Sequence, residues 1–191
     1  MKDAIINALQ ESILAKQKYL GDTEQLKLLE EIVKKIIKAY KKGNKVIIFG
    51  NGGSAADAQH MAAELVGRFK KERKALDAVV LTTNTSILTA LSNDYSYDIT
   101  FSRQLEACAK KGDVVFGIST SGNAINVIKA MEVAEKIGCV RIGLTGKTGG
   151  KLKEVVDYCI RVPSDETPRI QELHITIIHI ICELVEKHFC S

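Results

Sequence analysis

Tryptophan is missing from these 191 residues, and proline occurs only at Pro163 and Pro168. With no Trp and only scattered Phe and Tyr, the chain offers no obvious aromatic platform on which bases could stack. Lysines gather at Lys34-Lys35-Lys38-Lys41-Lys42 and at Lys70-Lys71-Arg73-Lys74, but such clusters are more often the wet faces and ends of helices than a nucleic-acid footprint. No nucleic-acid partner is therefore expected. The five cysteines (Cys108, Cys139, Cys159, Cys182, Cys190) are odd in number and contain no CxxC pair, which argues against a disulfide framework and for a reducing compartment. No stretch approaches the roughly 18–20 apolar residues of a membrane span. The first residues carry Asp3 and Glu11 where a signal peptide needs an apolar run, so a cytoplasmic location is expected. The net charge is only +4, a slight basic excess that suits a small anionic ligand.

A 46% hydrophobic content at this length suits one domain over 1–191 with a sizeable core. Residues 1–20 and 23–42 read as a helical pair. In the second helix Leu26, Leu29, Ile32, Val33, Ile36, Ile37 and Tyr40 recur at helical spacing. From 43 onward the texture changes. Short apolar runs at 46–49, 78–81, 114–118, 140–144 and 158–162 alternate with segments of helical pattern, which predicts a parallel sheet of about five strands with helices on both faces. A last helix is predicted from Thr167 to about Phe189. The fold class is a doubly wound α/β sandwich behind an N-terminal helical pair, the pair serving core packing and oligomerisation.

Ligands of such sheets sit beyond the carboxyl ends of the strands, and the chain is polar or glycine-rich there. Gly50-Asn51-Gly52-Gly53-Ser54-Ala55 fits the loose dinucleotide fingerprint, yet the next strand ends in Leu81-Thr82-Thr83-Asn84 with no carboxylate for a ribose. Asp77 lies at the wrong end of that strand, so no nucleotide cofactor is expected. The loop can still be a ligand-hugging turn or simply a tight strand-to-helix connection. Ser119-Thr120-Ser121-Gly122-Asn123 places several hydroxyls before a helix starting near Ala124, a pattern suited to phosphate. A helix cap would explain one of these residues but not the series.

His60 and Glu64 share a face of a helix predicted over 53–68, close to the glycine loop. On the last helix His174 and His179 point about 140° apart, so they cannot both face one site. Gln171 lies about 80° from His179, and Glu172 aligns slightly better, so spacing does not choose between them. Among Ile177, Ile178, Ile180 and Ile181, His179 fits a core residue bonded to backbone as well as it fits a site.

Taken in order, Gly50-Asn51-Gly52-Gly53-Ser54, Asp57-Ala58-Gln59-His60 with Glu64, Asn93-Asp94, Gly117-Ile118-Ser119-Thr120-Ser121-Gly122-Asn123, Leu144-Thr145-Gly146-Lys147 and Arg169-Ile170-Gln171-Glu172 with His179 resemble the bacterial phosphoheptose isomerases of the sugar isomerase (SIS) family. The resemblance implies conversion of sedoheptulose 7-phosphate to glycero-manno-heptose 7-phosphate, the first step towards nucleotide-activated heptose. It implies a homotetramer with active sites between subunits. It further implies that Asn51, Gly52, Gly53, Glu64, Asn93, Asp94, Ser119, Thr120, Ser121 and Gln171 touch substrate, that Glu64 and His179 form the acid–base pair, and that His60, Glu64, Gln171 and His179 bind Zn²⁺. Family members often carry one more serine where this chain has Ala124. A non-catalytic branch of the family binds the replication initiator protein; a phosphosugar-sensing or protein-binding module is the alternative reading, and the presence of Glu64 and His179 favours an enzyme.

Overall fold

The five apolar runs form strands β1 (Val46–Gly50), β2 (Ala78–Val80), β3 (Val114–Ser119), β4 (Val140–Thr145) and β5 (Tyr158–Arg161) in the computed structural model, which describes residues 1–190. They pair in parallel in the order β2-β1-β3-β4-β5. Parallel strands need crossover helices, and those helices cover both sheet faces, so the central strands must be apolar throughout. Every residue of β1 and β3 is buried accordingly.

Around the sheet lie α1 (Lys2–Leu20), α2 (Thr23–Lys41), α3 (Gly53–Val66), α4 (Thr85–Asp94), α5 (Thr100–Cys108), α6 (Ile125–Ile137) and α7 (Thr167–Phe189). The two-residue period of a strand divides the core. Val46 and Ile48 of β1 point into a cluster with Ile32 and Ile36 of α2, Met61 and Leu65 of α3, and Ile177 and Ile181 of α7. Ile47 and Phe49 point the other way, among Phe101 and Leu105 of α5 and Val127 and Met131 of α6. The helical pair at the front divides its work. Six residues of α2 are buried, whereas α1 buries only Ala15 and Tyr19 and leaves Ile5, Leu9 and Ile13 more than half exposed.

The helix predicted over 53–68 stops at Val66, two residues early. Its last carbonyls are taken by the Arg73 guanidinium, which donates to Glu64 O at 2.7 Å and to Gly67 O at 3.2 Å, so the chain turns away there. The last helix runs as expected, with Pro168 in its first turn. His174 and His179 do separate. His174 is fully buried, its Nε2 hydrogen-bonded to Thr145 O at 3.1 Å, and Nδ1 has no partner. It is His174, not His179, that takes the core role.

Burial lowers the His174 imidazole from 6.5 to about 4, only partly offset by the Thr145 carbonyl. The unfolded chain takes up a proton near pH 6.5, which the native state refuses until about pH 4. Stability therefore falls as pH drops through this window. Denaturant titrations are expected to show a loss of roughly 2 kcal/mol between pH 7.5 and 5 from this group, and the loss should be absent in His174→Gln.

Candidate active site

The strand order reverses at β1, which has β2 on one side and β3 on the other. Gly50 at the end of β1 is in register with Ile118 near the end of β3. The two following loops therefore start side by side and lead to helices on opposite sheet faces, α3 on one and α6 on the other. This divergence opens the crevice in which doubly wound folds bind ligands. A cavity of about 190 Å³ sits there, lined by Asn51, Ser54, Ile118, Ser119, Thr120, Ser121 and Ala124.

The hydroxyls in this cavity are not spent on capping. Ala124 is the N-cap of α6 and makes no side-chain cap bond. Ser119 is the last residue of β3 and is buried, while Ser121 is exposed and its Oγ accepts the Asn123 N–H at 3.1 Å. Asn123 turns away and accepts the Lys151 N–H at 3.0 Å. The loop is braced from behind, since Gly146 N–H donates to Thr120 O at 2.9 Å. At Gly122, with φ +66°, a Cβ would stand 2.1 Å from Gly149 O. Only glycine lets these two backbones touch.

Asn51 ties the glycine loop across the crevice. Its carboxamide pairs reciprocally with that of Asn126 on α6, at 2.9 and 3.0 Å, and its Oδ1 also accepts from the Tyr97 hydroxyl at 2.8 Å. Neither Asn126 nor Tyr97 was expected from the sequence. The one available signal was Asn126, an amide on the apolar face of α6 beside Val127 and Ala130, buried to 3% exposure.

α3 and α7 pack side by side and run in the same direction. Gly53 meets Gln171 at their N-terminal ends, where a Cβ on Gly53 would lie 2.3 Å from Gln171 Nε2. Two turns further on, His60 Nε2 lies 2.9 Å from His179 Nε2 and 3.2 Å from Glu64 Oε1. His60 Nε2 can accept from a protonated His179 Nε2 or, in the other tautomer, donate its own hydrogen to His179 or to Glu64. Spacing left Gln171 and Glu172 undecided. Here Gln171 takes the place beside the glycine loop and Glu172 pairs with Arg169 at 3.0 Å.

Gly53, Asp57, His60 and Glu64 form one stripe along α3. Burial pushes the Asp57 carboxyl up to about 6, with His60 pulling the other way, and Asp57 Oδ2 has no partner. Asn93 and Asp94 lie exposed at the end of α4, bonded to each other at 2.9 Å, and belong neither to the cavity lining nor to the His60–Glu64–His179 cluster. Eight helical residues, about 12 Å along the axis, separate the backbone of Gln171 from that of His179, and the Gln171 carboxamide packs against Gly53.

His60, Glu64 and His179 bring three donor atoms within 4.8 Å of one another. Tetrahedral zinc with bonds of about 2.0–2.1 Å places neighbouring donors roughly 3.3 Å apart. The separations of 2.9 and 3.2 Å approach that value. Two imidazoles and a carboxylate are donors zinc accepts, so the residues fit the ion.

A family model described as SIS domain matches residues 10–146. A phosphoheptose isomerase from Aneurinibacillus thermoaerophilus is 55% identical over 187 residues, covering 98% of this chain and 94% of that protein. The solved structure of a phosphoheptose isomerase from Neisseria gonorrhoeae superposes with a TM-score of 0.92 at 40% identity, covering 97% of this chain and 98% of that one. A phosphoheptose isomerase from Francisella tularensis gives 0.93 at 32% identity, with 97% of each chain covered. The five-strand parallel sheet, the flanking helices and the matches over nearly the whole length agree: the chain is an enzyme and belongs to the SIS domain family, among its phosphoheptose isomerases.

Proposed function

We propose that this enzyme converts sedoheptulose 7-phosphate to D-glycero-D-manno-heptose 7-phosphate in the cytoplasm, opening a route to nucleotide-activated heptose. The observation that carries the reading is the pairing of a hydroxyl-lined cavity at the end of β3 with a Glu64–His60–His179 cluster on the adjoining α3–α7 face. A phosphorylated sugar needs both features, one to hold its phosphate and one to move its protons.

Ser119, Thr120 and Ser121 anchor the phosphate, helped by the N-terminal turn of α6 that starts at Ala124. Anchoring the far end fixes the reacting carbons, so that binding energy is converted into positioning. Asn51, Gly52, Gly53 and Gln171 are the proposed sugar contacts near the two features, and Asn93 and Asp94, outside the cavity lining, complete the implied substrate set. One of Glu64 and His179 removes the proton from C1 of the ketose and the other delivers a proton at C2, while a proton passes from the C1 to the C2 oxygen. The product is the aldose. Carboxylate and imidazole suit both halves of this exchange near neutral pH.

Zn²⁺ is the proposed metal, held by His60, Glu64 and His179, with Gln171, now packed on Gly53, as the fourth ligand of the implied set. When bound it would supply Lewis acidity at the carbonyl oxygen. The exposed apolar face of α1, with Ile5 at 58%, Leu9 at 61% and Ile13 at 55% exposure, supports self-association of one-domain subunits into the proposed homotetramer. Five free cysteines suit a reducing compartment, and no helix among the described residues is long and apolar enough to cross a membrane.

A purified-protein assay should show turnover of sedoheptulose 7-phosphate to the aldose. Glu64→Gln and His179→Gln are each expected to lower kcat by about 10²–10⁴-fold, and full activity in both would remove their proposed roles. Ser121→Ala should raise KM for the sugar phosphate, and Kd for inorganic phosphate with it, by roughly ten- to hundredfold, the loss of one hydrogen bond to a charged group; unchanged constants would place the phosphate elsewhere. Metal stripping should depress turnover, with Zn²⁺ restoring it, and isothermal titration of the stripped protein should show one Zn²⁺ site per chain that His60→Ala abolishes.

A further inference from the structure

Seven residues beyond His179, α7 carries a carboxylate in an improbable place. Glu186 is only 2% exposed, on the apolar stripe that holds Ile178, Cys182 and Val185. Its oxygens accept three successive backbone N–H groups, from Phe69 at 2.6 Å, Lys70 at 2.7 Å and Lys71 at 2.9 Å. The Arg73 guanidinium stands 3.5 Å away, and both side chains are almost wholly shielded, at 2% and 3% exposure. Burial alone would raise this carboxyl, but the three N–H groups and Arg73 outweigh it and hold it below the usual carboxylate range. Successive N–H groups converging on one anion form a built anion seat, here filled by the protein's own side chain.

What this seat holds is the segment Gly67-Arg68-Phe69-Lys70-Lys71-Glu72-Arg73-Lys74, too rich in charge to fold onto a core by itself. Two groups on it reach the active cluster. The Phe69 ring packs against the His179 imidazole, centroids 5.6 Å apart at 45°. The Arg73 guanidinium donates to the main-chain carbonyl of Glu64 at 2.7 Å. One carboxylate therefore fixes, through two arms, the residues on either side of the proton-transfer pair.

We propose that Glu186 is a positioning residue: with Arg73 and Phe69 it clamps the α3–β2 connection so that Glu64 and the His179 ring keep their mutual placement. The proposal rests on the acid–base roles of Glu64 and His179 given above. A bare structural role would close the connection without touching the imidazole. The clamp is distinguished by its hold on the ring's environment.

The test pairs kinetics on the full-length, Zn²⁺-loaded enzyme with histidine NMR on the metal-free protein, comparing wild type, Glu186→Gln and Phe69→Leu. Glutamine cannot accept from all three N–H groups and leaves Arg73 without its counter-charge. Phe69→Leu keeps the N–H to Glu186 and removes only the ring. Both variants are expected to shift the His179 ring resonances while leaving those of His174 in place. With folding confirmed by thermal melts, kcat should fall about 10- to 100-fold in Glu186→Gln, as when a supporting partner of an active-site group is lost, with KM within about threefold. A smaller fall is expected in Phe69→Leu, which decides the matter if Glu186→Gln does not fold. Unchanged His179 resonances and unchanged kcat in a folded variant would overturn the clamp. Glu64→Gln and His179→Gln, run alongside, separate the two failures. Inactive E64Q and H179Q with normal E186Q and F69L defeat the clamp alone, whereas active E64Q and H179Q defeat the acid–base assignment on which it rests.

Discussion

The reversal of strand order between β1 and β3 is the constraint on which the rest of the molecule depends. Two neighbouring parallel strands send their chains to opposite faces of the sheet, and the backbone cannot fill the gap that results. The glycine loop and the serine loop both border that gap. The loops are held open by their own bonds, through the Asn51–Asn126 pair across the crevice and the Gly122–Gly149 contact behind it. The proposed phosphate seat thus follows from topology first and from side chains second.

The second determinant is the packing of α3 against α7 in the same direction. Because the helices run together, residues at matching heights face one another, Gly53 with Gln171 and His60 with His179. Glycine at position 53 is what permits the upper pair, since any Cβ there would collide with the Gln171 carboxamide. The lower pair gathers two imidazoles and a carboxylate at a half-exposed position, a set that can exchange protons or hold a cation. Buried groups of the same chemical types elsewhere serve other ends. His174 binds a strand carbonyl, and Glu186 binds a loop.

The fold was largely legible because each element announced itself through a short-range rule. The five apolar runs and the amphipathic α2 needed only periodicity, and the structure keeps all of them. Serines after β3 could be separated from caps only once Ala124 was seen to occupy the cap position. The placement of His179 was not legible from spacing, because an imidazole among four isoleucines satisfies a core and a site equally. Resemblance to known relatives singled out His179, and the structure puts it against His60. Asn126, Tyr97, Arg73 and Glu186 were invisible for a different reason. Each meets a partner 46 to 117 residues away, Tyr97 and Asn126 at Asn51, Arg73 at Glu186 and Glu186 at Phe69, and no local pattern encodes such a pairing.

The account stands on proton transfer through solvent-exchangeable groups at the Glu64–His179 face. Its most direct measurement is turnover of sedoheptulose 7-phosphate in D₂O, taken to prolonged equilibration and read by NMR at the reacting carbons. Deuterium should appear at C2 of the aldose and at C1 of the recovered ketose, and Glu64→Gln should slow its entry together with turnover. Complete interconversion with no carbon-bound deuterium would mean that hydrogen passes directly between the two carbons, and would contradict the account.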